Sequence, residues 1–308
     1  MIKATAPGKV ILFGEHAVVY GRPAIAAPVS QMRATAVITP SPDSDTHLIA
    51  PDLNLAMTLS EAGEENPLAA AVRQVALPLQ LPPFTLTVTS QIPIASGMGS
   101  GAAITAAIIR ALAQYLGLPA SNEWVSELTY EVEKLYHGTP SGIDNTVVAY
   151  EQPVYFVRQQ PQNRIEAFRV ARPLHLLIAG TGIRSSTKVV VGDVRRQWQA
   201  DPARFESLFD GCGQIADQAR AAIERGDLAE IGRLMSQNHA LLQQMTVSSP
   251  ELDQLVTAAL QAGALGAKMS GAGRGGNMIA LVEEGGEAAV RKALLAVGGT
   301  AVLSSIVE

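Results

Sequence analysis

The chain has 308 residues, 47% of them hydrophobic and 17% charged, with a formal net charge of -5 at pH 7, a length that accommodates two domains with sizeable cores. The acidic balance comes without a basic stripe, and the apolar runs are broken short of a membrane span, as Arg110 breaks one, so neither nucleic acid nor a membrane is expected as a partner. The lone cysteine, Cys212, excludes an internal disulfide and a Cys-rich zinc site; with an N-terminus lacking a charged-then-apolar export pattern, this points to the cytoplasm and to a small-molecule substrate.

In chain order, Lys3 to Phe13 and Ala24 to Ile38 are apolar stretches that read as strands, joined by a turn-prone connection from Gly14 to Pro23. Pro40 to Glu65 is polar and proline-containing and is expected to be an irregular excursion before a short helix near Pro67 to Val75. Phe84-Thr85-Leu86-Thr87-Val88-Thr89 alternates as a strand with one buried face, and Ala102 to Leu112 has the composition of a largely buried helix. Between them lies Gln91-Ile92-Pro93-Ile94-Ala95-Ser96-Gly97-Met98-Gly99-Ser100-Gly101. Ser121 or Asn122 can cap a helix whose apolar residues Val125, Leu128, Val132 and Leu135 recur at helical spacing, and Gly138 with Pro140 ends it. Leu174 to Ala179 reads as a buried strand, and from Asp193 onward helical patterns dominate. A boundary near Arg172 gives domains 1–172 and 173–308.

A strand, a Gly/Ser-rich loop and then a helix start is the arrangement that aims backbone N–H groups at a phosphate. A Walker A loop needs a lysine directly before its Ser or Thr, and this loop has none, which argues against a P-loop NTPase. A second cluster, Gly271-Ala272-Gly273-Arg274-Gly275-Gly276, formally fits G-x-G-x-x-G, but Asn277 to Val282 continues it as a strand, whereas a dinucleotide fingerprint must open a helix.

Three segments carry the chemistry together. They are Pro7-Gly8-Lys9-Val10-Ile11-Leu12-Phe13-Gly14-Glu15-His16-Ala17-Val18-Val19-Tyr20-Gly21, the loop above, and His137-Gly138-Thr139-Pro140-Ser141-Gly142-Ile143-Asp144-Asn145. With Lys268-Met269-Ser270-Gly271-Ala272-Gly273 near the C-terminus, this chain resembles the GHMP kinases in the right order along most of its length, and its first and third segments are most similar to the mevalonate-phosphorylating branch. The resemblance implies an α+β fold of two domains, an N-terminal α/β domain bearing the phosphate loop and a ferredoxin-like C-terminal domain, with ATP and Mg²⁺ as cofactors. It implies transfer of the γ-phosphoryl group to the 5-hydroxyl of mevalonate. The alternatives are a related acceptor such as phosphomevalonate or homoserine, or a nucleotide-binding sensor without turnover. A homodimer is compatible with it.

By the same resemblance Asp144 is the catalytic base and Lys9 the cation beside it, against the plainer readings of a turn-capping aspartate and a surface lysine. Pro93, Ser96, Gly97, Met98, Gly99, Ser100, Gly101 and Ala102 would hold ATP. Glu133 and Ser100 would hold the metal, although periodicity alone does not choose Glu133 over Glu131. Glu15, His16, Tyr20, Arg184 and Thr187 would contact the acceptor; His16 alone reads as structural, and a plain loop accounts equally for Arg184 and Thr187. One residue departs from the family: its loop carries two consecutive serines after the glycines, and here the second is Gly101.

Overall fold

The computed structural model describes residues 1–76, 82–93, 97–137 and 140–308, without the side chains of residues 76, 136 and 137. Its strands and helices are, in order, β1 (Ile2–Phe13), β2 (Ala24–Pro40), β3 (His47–Ala50), β4 (Leu55–Thr58), α1 (Pro67–Ala76), β5 (Phe84–Ser90), α2 (Ser100–Leu116), α3 (Asn122–His137), α4 (Ile143–Tyr150), β6 (Val154–Val157), β7 (Arg164–Ala167) and β8 (Leu174–Gly180). There follow α5 (Thr187–Ala200), α6 (Pro202–Arg225), α7 (Leu228–Gln244), α8 (Pro250–Gln261), β9 (Gly266–Ser270), β10 (Asn277–Val282), α9 (Glu287–Ala296) and β11 (Thr300–Val307). The chain divides into two compact units that interleave in sequence: Met1–Lys9, Met32–Ile94 and Gly99–Glu151 form the first, and Val10–Gln31, Ala95–Met98 and Gln152–Glu308 the second.

In the first unit β5 pairs antiparallel with the later part of β2, from Ala34↔Ser90 to Pro40↔Phe84, and parallel with β3, which in turn pairs antiparallel with β4. The excursion expected from Pro40 to Glu65 is therefore partly ordered. Its two strands are four residues each, and only Leu48 and Ala50 among those of β3 are buried, so little hydrophobic patterning marks them. Helices α2, α3 and α4 pack on one another in this unit. Helix α2 is apolar almost all round, as its alanine- and isoleucine-rich sequence demands of a buried helix. It starts at Ser100, so Ser100, Gly101 and Ala102 belong to its first turn and not to a loop before it. Arg110 leaves α2 to pair with Glu151 at 2.5 Å and to donate to the Ala149 carbonyl, which ties down the C-terminal end of α4. Ser121 caps α3 by accepting from the Trp124 amide at 3.2 Å.

In the second unit β6 pairs antiparallel with the first part of β2 and with β7. A separate four-stranded sheet has the order β11-β8-β10-β9, and all of its pairings are antiparallel. With helices between β8 and β9, and α9 between β10 and β11, this is a ferredoxin-like βαββαβ arrangement extended by extra helices. Its core joins Phe205, Phe209 and Cys212 of α6, Leu242 of α7, Leu252 and Leu255 of α8 and Met269, Met278 and Ala280 of the sheet. Among the described residues, no helix is long and apolar enough to cross a membrane.

Candidate active site

The first unit assembles the charged residues of the site from four elements. Lys9, near the middle of β1, is buried, and its Nζ lies 3.0 Å from Oδ1 of Asp144, whose side chain keeps 29% of its exposure and so stays reachable from solvent. Asp144 stands in the first turn of α4, after Gly142 in a left-handed conformation. Asn145 fixes that turn to α3 by donating to the backbone carbonyl and hydroxyl of Ser126, at 3.1 and 2.9 Å. Helix α3 supplies Glu133, and burial separates it from Glu131. Glu131 is 46% exposed and pairs with Lys134, whereas Glu133 is only 7% exposed, on the face shared by Val125, Ser126, Thr129 and Val132. Burial first, and the Asp144 charge second, push the Glu133 carboxyl up to about 8 against the opposing pull of Lys9.

The start of α2 is the fourth element of this group. Gly99 is the N-cap at φ 69, and a Cβ there would lie 2.9 Å from Cγ of Lys9, so a side chain at Gly99 would displace the lysine. The Ala103 amide makes the first bond of the helix, to the Gly99 carbonyl at 2.9 Å. The amides of Ser100, Gly101 and Ala102 precede it and have no acceptor within the helix, the ordinary condition of a helix N-terminus suited to an anion. Gly101 has no positive φ, and a Cβ built on it meets nothing within 4 Å. Pro93 is half-buried, Met98 is buried and Gly97 is exposed at φ 76; Ser96 lies outside the described residues, as do Gly138 and Thr139 of the third segment.

In the second unit, Gly14 turns the chain at φ 89, where a Cβ would run into Pro23 and Ala24. Glu15 and His16 follow, then a single 3-10 turn from Ala17 to Tyr20. His16 holds φ 60, unusual for a residue with a side chain, and its Nε2 lies 2.8 Å from the Ala272 carbonyl. A carbonyl only accepts, so Nε2 carries the hydrogen; burial brings the imidazole down to about 4, leaving it neutral near pH 7. Gly271 to Gly276 is the turn between β9 and β10, which pair from Asn277↔Ser270 onward, so the cluster is a hairpin loop and not a dinucleotide fingerprint. The stretch after β8 is clamped to the same loop: the Thr181 amide donates to the Gly276 carbonyl at 2.8 Å, and the Gly276 amide to the Ile183 carbonyl at 2.9 Å. Arg184 is exposed directly after that clamp, and Thr187, also exposed, opens α5.

Glu15, His16 and the Arg184 segment are thus gathered around one hairpin. Tyr20 is placed differently. Its ring stacks on Phe209 at 4.1 Å and tilts against Trp198 at 5.2 Å, so it packs on the apolar core of the second unit. Sequence reasoning passed over Asn145, which orients the Asp144 turn, and gave Lys268 no role, although a lysine inside a short, otherwise apolar strand is itself a signal.

The model of the GHMP kinases N-terminal domain matches residues 66–152, and that of the GHMP kinases C-terminal domain matches residues 219–299. A mevalonate kinase of Pyrococcus horikoshii is 35% identical, over 99% of this chain and 95% of the relative. The chain belongs to the mevalonate kinases of the GHMP kinase family. Among solved structures, the L. major mevalonate kinase in complex with R-mevalonate superposes with a TM-score of 0.86 at 33% identity, covering 99% of this chain and 95% of that one. The Methanococcus jannaschii mevalonate kinase does so with a TM-score of 0.84 at 28% identity, covering 99% and 96%.

Proposed function

We propose that this enzyme transfers the γ-phosphoryl group of ATP to the 5-hydroxyl of mevalonate, giving 5-phosphomevalonate for isoprenoid precursor synthesis. The observation that carries the chemistry is the contact of Lys9 with Asp144, a cation and a reachable carboxylate in one place beside the start of a helix. Asp144 accepts the proton of the acceptor hydroxyl as its oxygen attacks. Lys9 opposes the negative charge that develops on that oxygen and on the transferred group, the main task in phosphoryl transfer. The amides opening α2 receive the nucleotide phosphates, and the resemblance adds Pro93, Ser96, Gly97 and Met98 to the residues that bind ATP.

The donor set also suits Mg²⁺. Glu133 is a buried carboxylate pushed toward its neutral form with Asp144 close by, and a hard dication bound by oxygen ligands would offset both effects. Glu133 and Ser100 would hold it, with waters filling the place of the family's second serine. When bound, the metal supplies charge neutralisation at the phosphates.

Glu15, His16, Arg184, Thr187 and Tyr20 form the acceptor side of this reading. His16 offers a neutral ring and Arg184 an exposed cation suited to a carboxylate. The two family models fall on either side of Arg172, which supports domains 1–172 and 173–308. A cytoplasmic location, a homodimer and the absence of a nucleic-acid partner complete the proposal.

A coupled ADP-release assay with mevalonate, phosphomevalonate and homoserine tests it. Mevalonate should give the highest kcat/KM. A preference for either other acceptor reassigns the substrate, and no release with any acceptor refutes the kinase reading.

A further inference from the structure

The Glu15-His16 segment is stitched to β9 and its hairpin at three successive points. The Ile11 amide donates to the Ser270 hydroxyl at 3.1 Å, which donates back to the Ile11 carbonyl at 2.9 Å. Nζ of Lys268 pairs with Oε1 of Glu15 and donates to the Met269 carbonyl at 2.7 Å. His16 reaches the Ala272 carbonyl. The middle stitch is the unusual one, because both side chains of the ion pair are wholly enclosed, at 0% exposure. Breaking a buried pair from one side leaves an uncompensated charge, which the fold accommodates by moving a proton or by opening.

We propose that Lys268 is a positioning residue for the acceptor side of the site: its enclosed pair with Glu15 fixes the backbone that presents His16, and the Glu15 carboxylate is matched inside the protein rather than by the acceptor. This rests on the function proposed above. It gives Glu15 a part in acceptor binding through the main chain it anchors. Lys268 is also the strand residue that leads, through Met269 and Ser270, into the glycine hairpin, so one contact sets both the His16 turn and the loop to which Ile183 is clamped.

Two other titratable groups face this pair, and a third stands behind one of them. Cys212 of α6 interacts with both Glu15 and Lys268, and burial pushes its thiol up to about 12. His239 of α7 accepts from the Met269 amide at 3.3 Å, and burial holds its ring below the usual histidine range. Asp253 of α8 lies 3.1 Å from the far side of that ring. Cys212 and His239 feel the charges of the pair, so the double variant, which lacks both charges, serves beside wild type as a reference for their titration.

The test compares Lys268→Met and Glu15→Gln with wild type between about pH 6 and pH 9. Melting temperatures are measured without ligands, and KM is measured for mevalonate and for ATP. Lys268→Met leaves a carboxylate whose pKa burial raises, so its folded state binds a proton that the unfolded chain releases, and its melting temperature relative to wild type should fall as pH rises. Glu15→Gln leaves an ammonium whose pKa burial lowers, and its relative melting temperature should rise with pH. In Lys268→Met the KM for mevalonate should climb with pH by roughly tenfold to a hundredfold, while the KM for ATP stays within about threefold. If a single variant does not fold, the double variant, which buries no charge, should recover the fold. Offsets that do not change with pH, slopes of the same sign, or a double variant no better folded than the singles overturn the proposal. A wild type that phosphorylates no acceptor would instead remove the proposed function, and the melting curves would still decide whether the ion pair holds.

Discussion

Glu133→Gln keeps the shape of the side chain and removes its charge, which makes it the sharpest probe of the first unit. The carboxyl stands at about 8 in the folded chain against an ordinary 4.5, raised by burial and then by Asp144. The folded state therefore holds a proton that the unfolded chain has lost, and stability contributed below pH 4.5 is lost as pH rises toward 8. A rise of that size corresponds to on the order of a few kcal/mol. Glutamine does not titrate, so the variant should be spared this loss. Melting curves of the ligand-free protein from about pH 5 to pH 8.5 should show the melting temperature of Glu133→Gln rising relative to wild type by several degrees across the range. Saturating Mg²⁺ and ATP should flatten the wild-type dependence, because a bound dication keeps the carboxylate charged. Curves for the two proteins that stay parallel from acid to base without ligands would refute the assignment of a protonated, buried Glu133.

The remaining expectations concern the residues around it. Asp144→Asn should keep KM values for ATP and mevalonate within a few-fold and lose roughly 10²–10⁴ in kcat, read by ADP release; near-wild-type turnover removes Asp144 as the base. Lys9→Met should also act mainly on kcat, and by removing the cation that opposes the rise it should push the Glu133 carboxyl further up, visible as a steeper pH dependence of melting. Gly99→Ala places a Cβ 2.9 Å from Cγ of Lys9 at a positive φ, so it should cost about 1–2 kcal/mol in denaturant unfolding and lower kcat; an unchanged kcat means the lysine is not held by that contact. Gly101→Ser meets open space and no positive φ, so it should leave the KM for ATP unchanged and lower the Mg²⁺ concentration for half-maximal rate; an unchanged Mg²⁺ requirement shows that the missing serine is not a ligand here.

What could be read from the sequence is what repeats locally. The alternation of Phe84 to Thr89, the cap at Ser121 and the strand after the second glycine cluster each carry their signal within a few residues, and each is observed. Strands β3, β4 and β7 were not legible because they are four residues long, and β7 is buried at none of its positions, so no alternation exists to detect. The helical stripe of α3 misled in a more informative way. Its expected member Leu135 is 54% exposed, while Ser126, Thr129 and Glu133 occupy the buried face. A stripe drawn through apolar residues alone rotates away from the true inner face whenever that face carries polar residues, and here it does so at the buried carboxyl of Glu133.

The same reasoning extends to the other buried or strained residues of the candidate site. Lys9, Glu133 and Lys268 are ionisable groups in buried positions, Gly99 and His16 hold backbone conformations that ordinary residues avoid, and no local pattern favours any of these states. Each lysine is compensated by a group distant in the chain: Lys9 by Asp144, and Lys268 by Glu15, 253 positions away. Such compensation is invisible to periodicity, which compares a residue only with its near neighbours. It is legible only as a conflict, a lysine written into an apolar strand or a glutamate into a buried helix face, and such conflicts are expected where function sets the residue against the local rule. A search of the sequence for charges in apolar elements adds Lys268 to Lys9, which the resemblance already names beside Asp144, and only the folded chain supplies Glu15 as the partner of Lys268.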